Sequence, residues 1–515
     1  TDIGSRRELF VEDSLIERLD GAATLRMHHP VPREIAIVHD EPWEGSGSGY
    51  HSVFQDGDLY RMYYKSMHIY PFEEANTELR KEKKHPRLTA YAESDDGIHW
   101  RKPSLGLHEF DGSTDNNIVL VQEKLGGLEL DAAHPAVFLD TNPDVPADAR
   151  YKAILRQMSS PISALIALKS PDGVHWSLLH EEPVMAGEKY DSQNLAFWDE
   201  SAGCYRIYWR HFIPGEDDYW SGRRAIRTAT SHDFIHWENR ADLIYEDSPP
   251  EQLYTSVVKP YHRAPHIVLG FPLRYLERGH EDKTEAERIS LADLSSPEIT
   301  EQWSASLRAL PELEERLNRG RAHDRYGAAL TDTLFMASRD GVNFKRWDEA
   351  FLGPGVERPG TWHYGHQTMA WHVVETDSEL PGAPRELSLY AVESYWTEPG
   401  SALRRYTLRL DGFVSVRAPM SGGSLVTKPI KFAGSQLTLN FGTSVAGQIR
   451  VEIQDESGRP LPGFSIDDCA PIYGNTIDRP VHWTKGRELS ELAGQAVRLR
   501  FELKDADLYA YQFQP

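Results

Sequence analysis

An all-β fold, a five-bladed β-propeller followed by a C-terminal β-sandwich, is what this sequence predicts, and three observations predict it. A heptad recurs in order: Ser94-Asp95-Asp96-Gly97-Ile98-His99-Trp100, Ser170-Pro171-Asp172-Gly173-Val174-His175-Trp176, Ser231-His232-Asp233-Phe234-Ile235-His236-Trp237 and Ser338-Arg339-Asp340-Gly341-Val342-Asn343-Phe344, with a fainter fifth copy at Arg409-Leu410-Asp411-Gly412-Phe413. Each copy follows an alternating apolar/polar run, as a half-buried strand requires. After about Pro419 the heptad stops, and Gly-rich loops separate alternating stretches such as Gln436 to Phe441, Gln448 to Gln454 and Ala496 to Leu503, which fit a β-sandwich.

Asp-Gly after an alternating run signals a tight turn, because glycine accepts the positive φ the turn needs. The trailing Trp or Phe can pack back over the hairpin. The first four copies start 76, 61 and 107 residues apart and the fifth begins 71 further on. A strand-turn-strand unit recurring at this scale predicts propeller blades, each burying its faces against its neighbours.

Taken in order, residues 1–35 are an N-terminal extension that packs on or closes the ring, and the propeller spans 36–418. Blade one reads as Tyr50 to Phe54, Leu59 to Lys65, Arg87 to Glu93 and a fourth strand after Trp100. Later first strands are His134 to Leu139, Asn194 to Trp198, Tyr254 to Val258 and Gln367 to Val373. The second strands are Tyr151 to Arg156, Tyr205 to Arg210, His266 to Arg274 and Leu387 to Glu393. The 107-residue gap contains a charged segment, 277–329, whose Leu307, Leu310, Leu313 and Leu317 recur at helical spacing, so it is a partly helical insertion. Residues 419–515 form the sandwich.

A chain of 515 residues with 13 Trp and 23 Tyr has ample core for two domains. The net charge of −23 argues against nucleic acid as a partner, since nothing offers a broad basic surface to phosphates. No apolar run reaches membrane-spanning length, so no membrane partner is expected. No signal peptide is evident, and both export and a cytoplasmic location stay open, as does the oligomeric state. Cys204 and Cys469 are expected to be two buried thiols.

In a four-stranded meander the starts of first strands, the ends of second strands and the loops to third strands share one mouth. Before or at the first strands stand Glu44 and His51, Asp131 and His134, Asp191 and Gln193, Glu251 and Thr255, and His363 and His366. At the second-strand ends stand Lys65, Arg156, Arg210, Arg274 and Glu393. Carboxylates converging on one axis suit glycosidic cleavage, in which one protonates the leaving oxygen and another attacks the anomeric carbon or activates water. Asp191 and Glu393 lead as acid/base candidates, Asp131 is an orienting carboxylate, and Glu44 is a fourth. His51, His134, Gln193, Arg210, Arg274 and His366 are candidate substrate contacts. Trp220 and Trp396 are candidate stacking surfaces for a sugar, together with Trp43, Tyr219, Trp362 and Tyr395. Lys65 and the arginines hint at an anionic carbohydrate. No cofactor is expected, a structural ion in the channel is left open, and no paired-Cys or HExxH spacing suggests a metal.

Five blades, the Ser-x-Asp-Gly-x-x-Trp turn and a C-terminal sandwich together resemble the five-bladed propeller glycosidases of glycoside hydrolase families 32 and 43, as a divergent relative. The turn lacks the extra residue between Asp and Gly of the sialidase Asp box. By this resemblance Asp131 matches the blade-two carboxylate and Asp191 the blade-three acid/base. Ser46-Gly47-Ser48 stands where the blade-one Asp is expected, which leaves Glu44 or Glu393 to serve. The implied activity is that of an exo-acting glycoside hydrolase. A non-catalytic carbohydrate-binding propeller and a glycoside phosphorylase are the alternatives.

Overall fold

The computed structural model describes residues 1–69, 85–158, 163–213, 222–280, 302–322, 324–397, 400–485 and 488–515. The chain is mostly strand, and a series of antiparallel sheets builds the propeller. Blade one is Gly49–Asp56, Leu59–Ser66, Leu88–Ser94 and Ile118–Val121 in that spatial order. Blade two runs through Leu128–Leu139, Tyr151–Gln157, Ala164–Ser170 and Ser177–Leu178. Blade three consists of Leu195–Asp199, Cys204–Ile213, Arg223–Ser231 and Glu238–Asp242. Blade five takes Val374–Thr376, Glu386–Glu393 and Ala402–Arg409 from its own stretch, and its outermost strand is Val31–Val38, paired from Thr407↔Val31 to Ala402↔Val38. A strand from the start of the chain thus completes the last blade and ties the two ends of the ring together.

Blade four departs from the expected strands. The stretch His266 to Arg274 is divided into Ala264–Gly270 and Leu273–Glu277, both of which pair with Ala329–Ser338. Pro272 sits in the break, where it offers no N–H but its carbonyl accepts from Leu334 N at 2.9 Å. Tyr254 to Val258 is not a strand, and Val257 has a φ of +44°. In blade five, Gln367 to Val373 makes only isolated bridges at Met369 and Trp371, between left-handed residues at Gln367 and His372. The insertion holds the helices Ala305–Ala309, Leu313–Ala322 and Asp324–Ala328, with Leu307 buried against Trp303 and Ala328.

The repeated heptad is a hydrogen-bonded turn. In the first copy Ser94 Oγ accepts from the N–H groups of Asp96 and Gly97, while Asp96 Oδ1 accepts from those of Ile98 and His99. The other three strong copies repeat these bonds. A tyrosine of the preceding blade then latches onto the turn. Tyr63 donates to Gly173 O at 2.9 Å, Tyr208 to Gly341 O at 2.8 Å, and Tyr390 to Gly97 O across the ring closure. Tyr261 donates to Asp411 Oδ1 of the fifth copy at 2.8 Å. The exception is informative: the third copy has Phe234 in the glycine position at φ +68°, and its fully buried ring packs on Phe138, Tyr205 and Trp237 instead.

The C-terminal region forms one eight-stranded sheet built on two long strands, Gln436–Gln454 and Arg498–Gln514, whose register breaks between Thr443 and Gln448. Arg7–Leu9, Ile16–Gly21 and Thr24–Met27 add to that sheet through Arg498–Gln514, Gly423–Thr427 and Val414–Ala418 respectively. Its alternating inward residues, including Leu437, Leu439, Val451, Leu499 and Phe501, form a second core. Both cysteines are buried and free.

Candidate functional site

Around one mouth of the propeller, a circuit of side chains visits every blade, linked by contacts except between blades three and two, where the link is electrostatic. Asp131 of blade two accepts from His134 Nδ1 at 2.8 Å. The His134 ring lies 5.5 Å from that of Tyr50 in blade one, and Tyr50 in turn lies 4.8 Å from Lys65 Nζ. Lys65 donates to Tyr395 Oη of blade five at 2.9 Å. The Tyr395 ring is 6.1 Å from that of Tyr364, whose hydroxyl is 3.0 Å from that of Tyr254 in blade four. The Arg210 guanidinium of blade three lies 5.5 Å from the Tyr254 ring and donates to Asp191. Arg156 is 3.7 Å from Asp131, and blade two reaches Asp191 electrostatically, through the lowering effect of Arg156 on its pKa.

Local backbone irregularities aim these groups. The blade-one ladder breaks register between Gly49 and Ser52, and Tyr50 has a φ of +51°. The blade-two ladder breaks between Asp131 and Ala136. Bulges of this kind re-aim side chains where strands end. Gly365 is required for space: a Cβ there would come within 2.4 Å of the Tyr395 ring.

The two carboxylates differ in setting. Asp131 is fully buried; burial pushes its pKa up, but His134, Arg87 (Nη1 at 2.7 Å) and the N–H of Ala133 hold it well below the usual carboxylate range. Its oxygens are occupied. The Asp191 side chain is 38% exposed; burial raises its pKa, and the Arg210 guanidinium beside it, with His134, Arg156 and a backbone hydrogen bond, together outweigh burial and lower it, so it is ionised and open to a ligand. Because Asp131 takes the Nδ1 hydrogen of His134, the imidazole's Nε2 is left to act. Burial lowers the Lys65 ammonium to about 7.

Other expected site residues lie outside this circuit. Glu393 is only 3% exposed and bonded to Arg404 at 2.7 Å and to Arg358, which keep it ionised against the opposing effect of burial. Arg274 is held by both oxygens of Asp332, at 2.8 and 2.6 Å, and by Glu251 at 2.8 Å. Glu44 is fully buried beneath Tyr64 Oη at 2.6 Å and Lys102 Nζ at 2.7 Å. His51 faces His39, 3.0 Å between their Nε2 atoms, and burial pushes it well below its usual range. His366 is buried, accepts from Trp362 N at 3.1 Å and is lowered by burial to about 3. Gln193 braces the mouth, donating to Tyr50 O at 2.9 Å and Pro135 O at 3.1 Å. Trp396 is mostly buried, donating to Ile69 O at 3.0 Å. Trp220, like Tyr219, lies outside the described residues. Among the described residues no group of three or more His, Cys, Asp or Glu could hold a metal ion.

Sequence reasoning did not single out Arg87, Tyr50, Tyr254 or Tyr364. Arg87 had a signal: an arginine stands at or near the start of the third strands of blades one, three and five, as Arg87, Arg224 and Arg404.

No protein-family model matches the chain, and no curated protein matches it. Solved structures similar to it include a thermostable family-43 glycoside hydrolase (12% identity over 74% of this chain and 96% of that one, TM-score 0.41). Another is an endo-arabinase from Bacteroides thetaiotaomicron (8%, 73% and 98%, 0.39). A third is a fructofuranosidase from Schwanniomyces occidentalis complexed with fructosylnystose (11%, 92% and 96%, 0.37). The resemblance to family 32 and 43 propeller enzymes is one of fold.

Proposed function

We propose that this chain is a glycosidase-like enzyme whose reaction takes place at the mouth ringed by Asp131, His134, Tyr50, Lys65, Tyr395, Tyr364, Tyr254, Arg210 and Asp191. The observation that carries the reading is the pairing of an open, ionised carboxylate, Asp191, with a carboxylate-held imidazole, His134, inside a wall of tyrosines. Cleavage of a glycosidic bond needs a carboxylate at the anomeric carbon and a proton for the leaving oxygen. Asp191 supplies the first, either attacking the anomeric carbon or taking a proton from the water that does. The proton comes from His134: its Nε2–H passes to the glycosidic oxygen as the C–O bond breaks, while Nδ1–H stays bonded to Asp131. In this reading Asp131 orients and does not titrate, and Glu393 supports blade five. The phenol rings offer flat faces to the C–H surfaces of a sugar.

The test is release of sugar from a panel of oligosaccharides and aryl glycosides, furanosides included. Asp191→Asn is expected to lower turnover by about a hundredfold or more, the scale of an acid/base group, and His134→Gln by a similar factor. A parent protein that binds a panel sugar and releases nothing would replace this reading with a non-catalytic carbohydrate-binding propeller.

A further inference from the structure

Lys65 is a buried cation with no paired carboxylate among the described residues. Its side chain is only 4% exposed, and among the described residues no carboxylate comes within ion-pair distance of Nζ. One hydrogen bond, to Tyr395 Oη, and the faces of Tyr50 and Tyr395 at 4.8 and 5.0 Å are its partners. An ammonium carries three donors, and cation–π contacts compensate only part of the desolvation of a buried charge. The same chain treats Lys152, equally buried, differently: it is bonded to Asp140 and to Tyr205 Oη.

The surroundings share this surplus. Lys65, Tyr50, Tyr254, Tyr364, Tyr395 and Thr255 line one cavity. Thr255 Oγ1, Arg210 Nε and Arg156 Nε are buried and find no hydrogen-bond partner among the described residues. Among the described residues of the circuit, the four cations Lys65, Arg87, Arg156 and Arg210 stand against two carboxylates, Asp131 and Asp191, in a chain whose net charge is −23.

We propose that the sugar taken at this mouth carries a carboxylate, and that Lys65 and Tyr395, two adjacent donors at the tyrosine-lined cavity, receive its two oxygens. The proposal rests on the carbohydrate reading above and names the substrate class of the same site. With Lys65 donating to the phenol oxygen, the Tyr395 O–H is free to point at the ligand, so the pair offers the side-by-side donors that a planar carboxylate accepts. Burial lowers Lys65 to about 7, while Tyr50 and Tyr395, pushed up by burial, stay neutral; Asp131 and Arg87 act on Lys65 with opposite signs. Binding of an anion therefore weakens as pH rises through about 7, where the ammonium loses its proton.

The experiment is calorimetric titration of the full chain with galacturonate against galactose, glucuronate against glucose, and galactose 6-sulfate, below and above pH 7. The expected result is a preference of about tenfold or more for at least one uronate over its neutral counterpart, equivalent to about 1.4 kcal/mol. The preference is lost in Lys65→Met and above neutral pH, and partly kept in Lys65→Arg. Neutral sugars binding as well as the uronates, a preference that survives Lys65→Met, or binding by the sulfate ester alone would each overturn it while leaving the carbohydrate reading in place. Binding by no sugar, with no turnover in the glycoside panel, would overturn both. Thermal unfolding guards against a folding artefact: Lys65→Met is expected to melt no lower than the parent.

Discussion

Glu44 and Asp191 stand at comparable strand starts, yet their surroundings give them opposite roles. Glu44 is enclosed by Tyr64 and Lys102 and has no face left for a ligand. Replacing it with Ala takes the acceptor from buried Tyr64 Oη and leaves Lys102 with Asp40 at 3.2 Å and Val38 O at 2.7 Å, and is expected to cost about 2 kcal/mol of stability, read by urea unfolding, with no direct effect on the Asp191 mouth. Lys65 gives a pH-dependent prediction. Its folded pKa of about 7 lies below the ordinary 10.5. The unfolded chain thus binds the proton more tightly, and the buried charge costs stability in full below about pH 7, a cost that fades as pH climbs from there toward 10.5. Lys65→Met should therefore gain most over the parent below pH 7, with the gap closing at higher pH. A gap that does not change with pH would mean that Lys65 is not a desolvated cation.

At the level of elements, the repeated turn and the tyrosine that latches it act as one unit. Removing one phenol hydroxyl, as in Tyr63→Phe or Tyr208→Phe, is expected to cost about 1 kcal/mol each, the net worth of a hydrogen bond. Gly341→Ala should cost more than either. Its Cβ would stand 2.8 Å from Tyr208 Oη and 2.7 Å from Arg206 Cζ, at a φ of +76°. The turn could be read from sequence because its bonds close within six residues. The latch could not, since Tyr63 is 110 residues from Gly173.

In the whole molecule the first forty residues serve two structures. Val31–Val38 completes blade five, while Arg7–Leu9, Ile16–Gly21 and Thr24–Met27 join the C-terminal sheet. A fragment of residues 419–515 lacks these strands and also Val414–Ala418, which leaves edges of Gly423–Thr427 and Arg498–Gln514 bare. We expect that fragment alone to be unfolded or aggregated by circular dichroism and size-exclusion chromatography. A cooperative, monomeric fold from it would contradict the pairing.

Strand alternation, the Ser-x-Asp-Gly turn and the helical spacing of the insertion leucines were determined by sequence alone, because each depends on residues a few positions apart. The blade-four break at Pro272 was also written there, although the alternating run concealed it. Which carboxylates meet was decided only by the tertiary structure. Asp131, Asp191, Glu44 and Glu393 are alike as residue types, and each is set apart by partners elsewhere in the chain: Arg87 for Asp131, Arg210 for Asp191, Tyr64 and Lys102 for Glu44, Arg358 for Glu393. A local pattern can place a carboxylate at a strand end, but its charge, its exposure and its neighbours across the channel depend on ring closure, which brings residue 50 beside residue 395.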